Sequence, residues 1–410
     1  MAPVKRPVPE TASQDWLPAP AEAGWSPTSL LGYTAVVLSP FPEHLPMRLR
    51  ALVFLAALAV SSACSPFVAP VVETDAGVPP VTGGEDAGED LLDAGVVETD
   101  AGDPLADAGL ITDAGSLDDA GHTPTDAGTP EPVVRFVAIG DTGTGGTGQY
   151  AVASAISQKC AQSGCDFVVM LGDNIYESGI SSPDDVQMQD KFELPYASVN
   201  LPFYVVLGNH DYGGDGAGTD FGKGAHQIAY TQKSTKWKLP AAYYRFVKEH
   251  VEFFALDTNM QMFNLDAQQE QDVAQWLAQS TATWKILLGH HPYRSNGPHG
   301  NAGKYDGVEF VPIANGASVK SFADKIWCGK ADFYFSGHDH SRQYLQSTCQ
   351  GTELIVSGAG AKVTTLSGSN PYWWQEATIG LVWVEIRGRS MTIEFVNDAG
   401  VTQYTRTVTK

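Results

Sequence analysis

The chain has 410 residues, with 47 Asp and Glu against 25 Lys and Arg, for a formal net charge of −22. Residues 65–132 hold 16 of those acidic side chains and no Lys or Arg, so the rest is only mildly acidic. That balance excludes a basic surface built to hold nucleic acid.

Residues 1–46 are Pro-rich, lack apolar periodicity and read as an untranslated or disordered leader. Met47-Arg48-Leu49-Arg50 then opens a basic segment, followed by an apolar run over 51–60 that is too short to span a bilayer. With Ser61-Ser62-Ala63-Cys64 behind it, 47–64 reads as an export signal whose natural start is Met47. Small residues ahead of a Cys resemble a bacterial lipobox, in which Cys64 carries lipid and becomes the mature N-terminus. Ser61 stands where Leu is usual, and cleavage after Ala63 by an ordinary signal peptidase is the alternative. Residues 65–132 repeat Asp-Ala-Gly eight times, from Asp75 to Asp126. The apolar positions are too sparse for a coiled coil, and the acidic spacing is looser than that of calcium loops. The segment reads as a disordered, self-repelling acidic linker.

Residues 133–410 carry the pattern of a folded core and suffice for one large domain. A strand over 133–139 runs into Gly140-Asp141-Thr142-Gly143, followed by a helix near 149–160. The apolar run 167–171 leads into Gly172-Asp173-Asn174-Ile175-Tyr176, and the strand 203–207 into Gly208-Asn209-His210-Asp211. Two strands are expected at 243–247 and 251–256, then an amphipathic helix at 266–279. The strand 284–288 ends in Gly289-His290, and 332–336 ends in Gly337-His338-Asp339-His340. Strands at 353–356, 381–387 and 391–396 are expected to finish a second sheet. Alternating strands and helices followed by strand-rich sequence predict an α/β fold with two packed sheets and helices outside. Such sheets place their sites beyond the carboxyl ends of the strands. Five strand ends here present Asp, Asp, Asn, His and His-x-His, and Tyr176 can add a phenolate.

These five blocks resemble those of the calcineurin-like metallophosphoesterases, and more narrowly the small, tartrate-resistant type of purple acid phosphatase. Gln343-Tyr344-Leu345-Gln346, Val356-Ser357-Gly358-Ala359-Gly360 and the segment 295–300 with His299 agree, and the resemblance covers 133–410. Leu287 stands where Val is usual and His291 where Tyr is common. The resemblance implies a four-layer α/β/β/α sandwich with metal ligands at strand C-terminal ends. It implies an acid phosphatase that hydrolyses phosphomonoesters by attack of a metal-bound hydroxide, and the segment 47–64 adds export. Residue by residue, it implies Asp141, Tyr176 and His340 on one cation, Asn209, His290 and His338 on the other, and Asp173 bridging both. Three anionic oxygens and an imidazole suit Fe³⁺, while an amide, two imidazoles and a shared carboxylate suit Fe²⁺, Zn²⁺ or Mn²⁺. Two such cations clamp an in-line displacement at phosphorus.

The same resemblance makes His210 and His299 the residues that bind phosphate or protonate the leaving group, with Asp211 orienting a neighbouring His. His226, His250 and His291 are expected to be structural, and Tyr372-Trp373-Trp374 either lines the substrate mouth or packs. Phosphate esters are the expected substrates, and a lipid on Cys64 the expected membrane contact. Two rivals remain: a phosphodiesterase or nucleotide hydrolase on the same fold, and a non-catalytic surface lipoprotein. Beyond Cys64, the four cysteines Cys160, Cys165, Cys328 and Cys349 allow three pairings, and export favours disulfides. Local pairing, Cys160 with Cys165 and Cys328 with Cys349, is expected to stabilise the fold by about 2 and about 3 kcal/mol.

Overall fold

The computed structural model describes residues 16–18, 131–305 and 308–410. The segment read as an export signal, Cys64 and the acidic repeat lie outside the described residues. Every residue of Phe167–Leu171 is buried, so this strand needs cover on both faces and takes an interior place in a sheet. That seven-stranded sheet runs in the order Thr402–Thr409, Ser390–Asn397, Gly380–Arg387, Val133–Ile139, Phe167–Leu171, Phe203–Val206 and Trp237–Lys238. The four strands from Val133–Ile139 onward pair in parallel, which points their carboxyl ends the same way. The second sheet runs Trp16–Pro18, Tyr244–Lys248, Val251–Ala255, Trp284–Leu288, Phe333–Ser336, Glu353–Ser357, Arg342–Leu345 and Tyr372–Glu376. Its central four strands are also parallel.

Strand alternation sorts the apolar side chains into two layers. Phe253, Ile286 and Phe335 face the first sheet and join one core, while their neighbours Phe254, Leu287 and Tyr334 face out into another. In the inner layer Phe136 stacks on Phe167 at 5.5 Å, and Phe253 meets both rings edge-on at 5.3 and 5.4 Å. The outer layer is closed by Trp276 and Leu277 of the helix Ala267–Gln279, whose N-terminus is capped by Asp266 through the Gln269 amide. Helix Thr147–Ser163 lies on the first sheet, with Val152 and Ile156 buried. The result is the four-layer α/β/β/α sandwich.

One detail differs from the sequence reading, and two more are added by the structure. Gly380–Arg387 and Ser390–Asn397 do not finish the second sheet: they return to the first, where Gly380–Arg387 pairs antiparallel with Val133–Ile139. Trp16–Pro18, within the stretch read as a leader, pairs antiparallel with Tyr244, Arg245 and Phe246 at the edge of the second sheet. The segment Tyr372–Glu376 is a strand paired with Arg342–Leu345, and its Trp374 packs on Phe395 at 4.7 Å. Both disulfides pair locally as expected, Cys160 with Cys165 and Cys328 with Cys349. Among the described residues, no helix is long and apolar enough to cross a membrane.

Candidate metal centre

The parallel strands deliver their carboxyl ends to one place, and the turns there are tight. Asp141, Asp173 and His338 all have left-handed backbone, with φ of 59°, 53° and 69°. That conformation costs non-glycine residues on the order of 1 kcal/mol each, and it aims these side chains back across the strand ends. Gly172 (φ 89°) precedes Asp173, and a Cβ on it would lie 2.5 Å from His290 Nδ1. Only glycine satisfies both the conformation and the close approach.

Seven side chains meet in two adjoining groups. In the first, the Tyr176 hydroxyl lies 3.1 Å from Asp141 Oδ1 and 3.2 Å from His340 Nε2, with Asp141 Oδ1 and His340 Nε2 3.4 Å apart. In the second, His290 Nε2 lies 2.9 Å from Asn209 Oδ1 and 3.1 Å from His338 Nδ1. Asp173 Oδ1 is 3.4 Å from His290 Nε2. Ligand atoms of Asp173, His290 and His338 all fall within 4.8 Å of one another. Backbone amides hold the carboxylates in place: His338 N–H donates to Asp141 Oδ2 at 2.8 Å and His210 N–H to Asp173 Oδ1 at 2.9 Å.

Burial and close neighbours shift several of these groups in opposite directions. Burial raises the Tyr176 phenol well above its ordinary value, and Asp141 and Asp173 push it further. Burial alone would raise the Asp173 carboxyl, but His290 and His210 overturn that and hold it well below the usual range. Burial opposes charge on His290 too, yet Asp173 outweighs it and lifts the imidazole to about 9. His338 goes the other way, well below its ordinary value, through burial and the neighbouring His299, His291, His290 and His340. Crowded acceptors and imidazoles in a dry site are costly unless a cation sits among them, and the donor set fits one.

A model of the calcineurin-like phosphoesterase family matches residues 134–342. The chain belongs to that family. Tartrate-resistant acid phosphatase type 5 of Mus musculus is 30% identical over 312 residues, covering 66% of this chain and 89% of that protein. Purple acid phosphatase 4 of Arabidopsis thaliana is 29% identical over 261 residues, covering 58% of this chain and 70% of that protein. Among solved structures, purple acid phosphatase PPD1 from yellow lupin (Lupinus luteus) aligns with a TM-score of 0.51 at 18% identity, over 68% of this chain and 54% of that one. GAP50, described as the anchor in the inner membrane complex of Plasmodium, aligns with a TM-score of 0.55 at 21% identity, over 68% and 89%. At such identities the two structures speak to the fold alone. This phosphoesterase is a hydrolase of the purple acid phosphatase type.

Around the two groups, the phosphoesterase positions its remaining histidines with care. His210 packs edge-on against the Tyr176 ring at 4.5 Å, and its Nδ1 lies 2.6 Å from the Glu177 carbonyl oxygen. His299 lies over the His338 ring at 3.8 Å and donates from Nδ1 to Asp339 Oδ1 at 2.8 Å. Asp339, buried between two candidate ligands, also accepts the His299 backbone amide, so it sets both the loop and the ring. Sequence reading left Asp339 without a role, although its place between His338 and His340 marks it. Thr258 carried no signal at all. Its hydroxyl accepts the His290 and His291 amides at 3.2 and 3.0 Å and lies 2.9 Å from His291 Nδ1.

Asp211 does not orient a histidine. Its buried carboxylate accepts from the amides of Asn174, Ile175 and Gly208 and from the side chains of Asn174 and Gln227. It ties the Gly172–Tyr176 turn to the Gly208–Asp211 turn through five amide donors, three of the backbone and two of side chains, and none of them is an imidazole. Burial and the adjacent Asp173 raise it to about 6.

Proposed function

We propose that this phosphoesterase is an exported acid phosphatase with a dinuclear centre, hydrolysing phosphomonoesters. Asp141, Tyr176 and His340 would hold one cation, Asn209, His290 and His338 the second, with Asp173 between them. The observation that carries this reading is the separation of the seven side chains into two groups at one set of strand ends. The first group, richer in anionic oxygen, suits Fe³⁺, and the second suits Fe²⁺, Zn²⁺ or Mn²⁺. When bound, the pair supplies Lewis-acid charge at the phosphoryl oxygens and acidifies water enough for use at acid pH.

The chain's own residues do the rest. His210, edge-on to Tyr176 at 4.5 Å between ring centres, binds the phosphate. His299 gives its Nε2 proton to the departing alkoxide, while the Asp339 carboxylate holds Nδ1–H and stabilises the imidazolium. A sandwich of this kind also serves as an anchor in GAP50, so the fold by itself does not entail catalysis. The complete ligand set supports an enzyme. Two disulfides support an oxidising compartment, and we extend this to a lipid on Cys64 with residues 65–132 as the tether.

Purified full chain should contain two metal ions, absorb broadly in the visible when oxidised, and turn over a phosphomonoester faster than a matched diester below pH 7. Tyr176→Phe should lose the absorption while retaining hydrolysis. A colourless, iron-free active enzyme would remove iron from the reading; faster diester turnover would replace the monoester assignment.

A further inference from the structure

The segment Gly358-Ala359-Gly360 is pressed against the metal-centre strands. Gly358 N–H donates to the Ser341 carbonyl at 3.0 Å, Gly360 N–H to Gly140 at 3.0 Å, and Thr364 N–H to His340 at 2.9 Å. A Cβ at Gly360 would stand 2.4 Å from the Gly140 oxygen, so a larger residue would lift the segment away. The tight seat fixes where the next side chains go. Lys362 lays its ammonium 3.4 Å from the centre of the Tyr176 ring, the same ring whose edge His210 touches. The Tyr176 hydroxyl in turn reaches Asp141 and His340. Lys362 is half-buried, and among the described residues its ammonium has this aromatic face and no carboxylate in ion-pair contact.

A half-buried ammonium without a counter-ion, held at the rim of a phosphate-processing centre, is placed for an anion that arrives with the substrate. We propose that Lys362 contacts the substrate phosphate and favours phosphomonoesters over phosphodiesters. Above its second ionisation a monoester carries one more negative charge than a diester, and an added cation rewards that extra charge. The inference rests on the phosphatase reading given above and adds a residue to its phosphate site. The bland alternative is a lysine stem that simply covers Tyr176. A methionine keeps that cover and loses the charge, and an arginine keeps the charge.

The test uses the metal-loaded full chain, with inorganic phosphate titrated calorimetrically and steady-state rates on a matched aryl monoester and diester at pH 7. Lys362→Met and Lys362→Gln should weaken phosphate binding and raise the monoester KM about tenfold, with the diester KM moving less than about threefold. Lys362→Arg should recover most of both. Phosphate affinity in Lys362→Met within about twofold of wild type overturns the proposal, as do equal changes in monoester and diester KM. A lowered Tm with unchanged phosphate affinity does the same, because it leaves only the cover. If wild type itself neither binds phosphate nor hydrolyses either ester, the phosphatase reading falls first and takes this inference with it.

Discussion

Asp211→Asn isolates what the buried carboxylate between two ligand turns contributes. Its Oδ1 accepts from Gln227 Nε2 at 2.7 Å, Asn174 N at 3.0 Å and Ile175 N at 3.1 Å, and its Oδ2 from Gly208 N at 2.8 Å and Asn174 Nδ2 at 2.9 Å. An amide nitrogen in place of Oδ2 would face two donors with no relief. In place of Oδ1 it can be met by the Gln227 Oε1, a buried oxygen that has no partner in the native arrangement. Turning Gln227 leaves the Ile175 N–H as the main orphan, since Asn174 N also reaches Oδ2 at 3.2 Å. One buried orphan plus the loss of charge assistance in the remaining bonds comes to about 2–4 kcal/mol. Asp211→Ala strands three backbone amides and should cost on the order of 5 kcal/mol, enough to threaten the whole domain. Urea unfolding of the full chain, followed by tryptophan fluorescence, measures both. Added metal should restore much of the turnover of Asp211→Asn, because the variant loosens ligand turns and removes no catalytic group. A variant as stable as wild type to within about 0.5 kcal/mol, yet inactive at saturating metal, would refute this account and revive a histidine-orienting role.

His299→Asn should lower kcat about 100-fold on poor leaving groups and much less on an activated aryl phosphate; equal losses on both would assign His299 to binding. Burial raises Asp257 to about 7, against the hydrogen bond from Tyr212 that lowers it. Because the folded value lies above the unfolded one, the stability tied to Asp257 is intact below about pH 4 and is lost as pH rises through about 7. Asp257→Asn should flatten that decline in a series of thermal melts from pH 4 to 8. Replacing Cys328 and Cys349 with Ser should cost about 3 kcal/mol, read as a lower urea midpoint, because their link closes a 21-residue separation that includes His338 and His340.

The candidate site was more legible in the sequence than the sheets were. Five of the seven candidate ligands directly follow an apolar run and a glycine, a local pattern that survives without knowledge of what packs on it. Sheet membership is set by partners far along the chain, and nothing within residues 381–387 tells which edge they join. Arg342–Leu345 shows the limit most clearly, since Arg-Gln-Tyr-Leu has no strand-like alternation of apolar residues. Arg342 is fully buried because the Val396 and Thr378 carbonyls and Gln403 accept its guanidinium, and all three come from later strands or turns. Thr402–Thr409 is a half-exposed edge of alternating polar residues, which apolar periodicity could not find. Asp339 and Asp211 stood in quoted motifs, but their partners come from the segment 295–300 and from Gln227, which only the fold brings near.

The pairing of Val133–Ile139 with Gly380–Arg387 has a consequence for how the protein is made. Arg135 and Glu385, joined by a 2.7 Å ion pair, are separated by 250 residues. While the chain is being synthesised, Val133–Ile139 therefore waits with one edge unpaired until Gly380–Arg387 has been made. An exposed edge of that kind is open to pairing with other nascent chains. A chain cut short before residue 380 would hold every candidate ligand yet lack the strand that pairs with Val133–Ile139 beneath them.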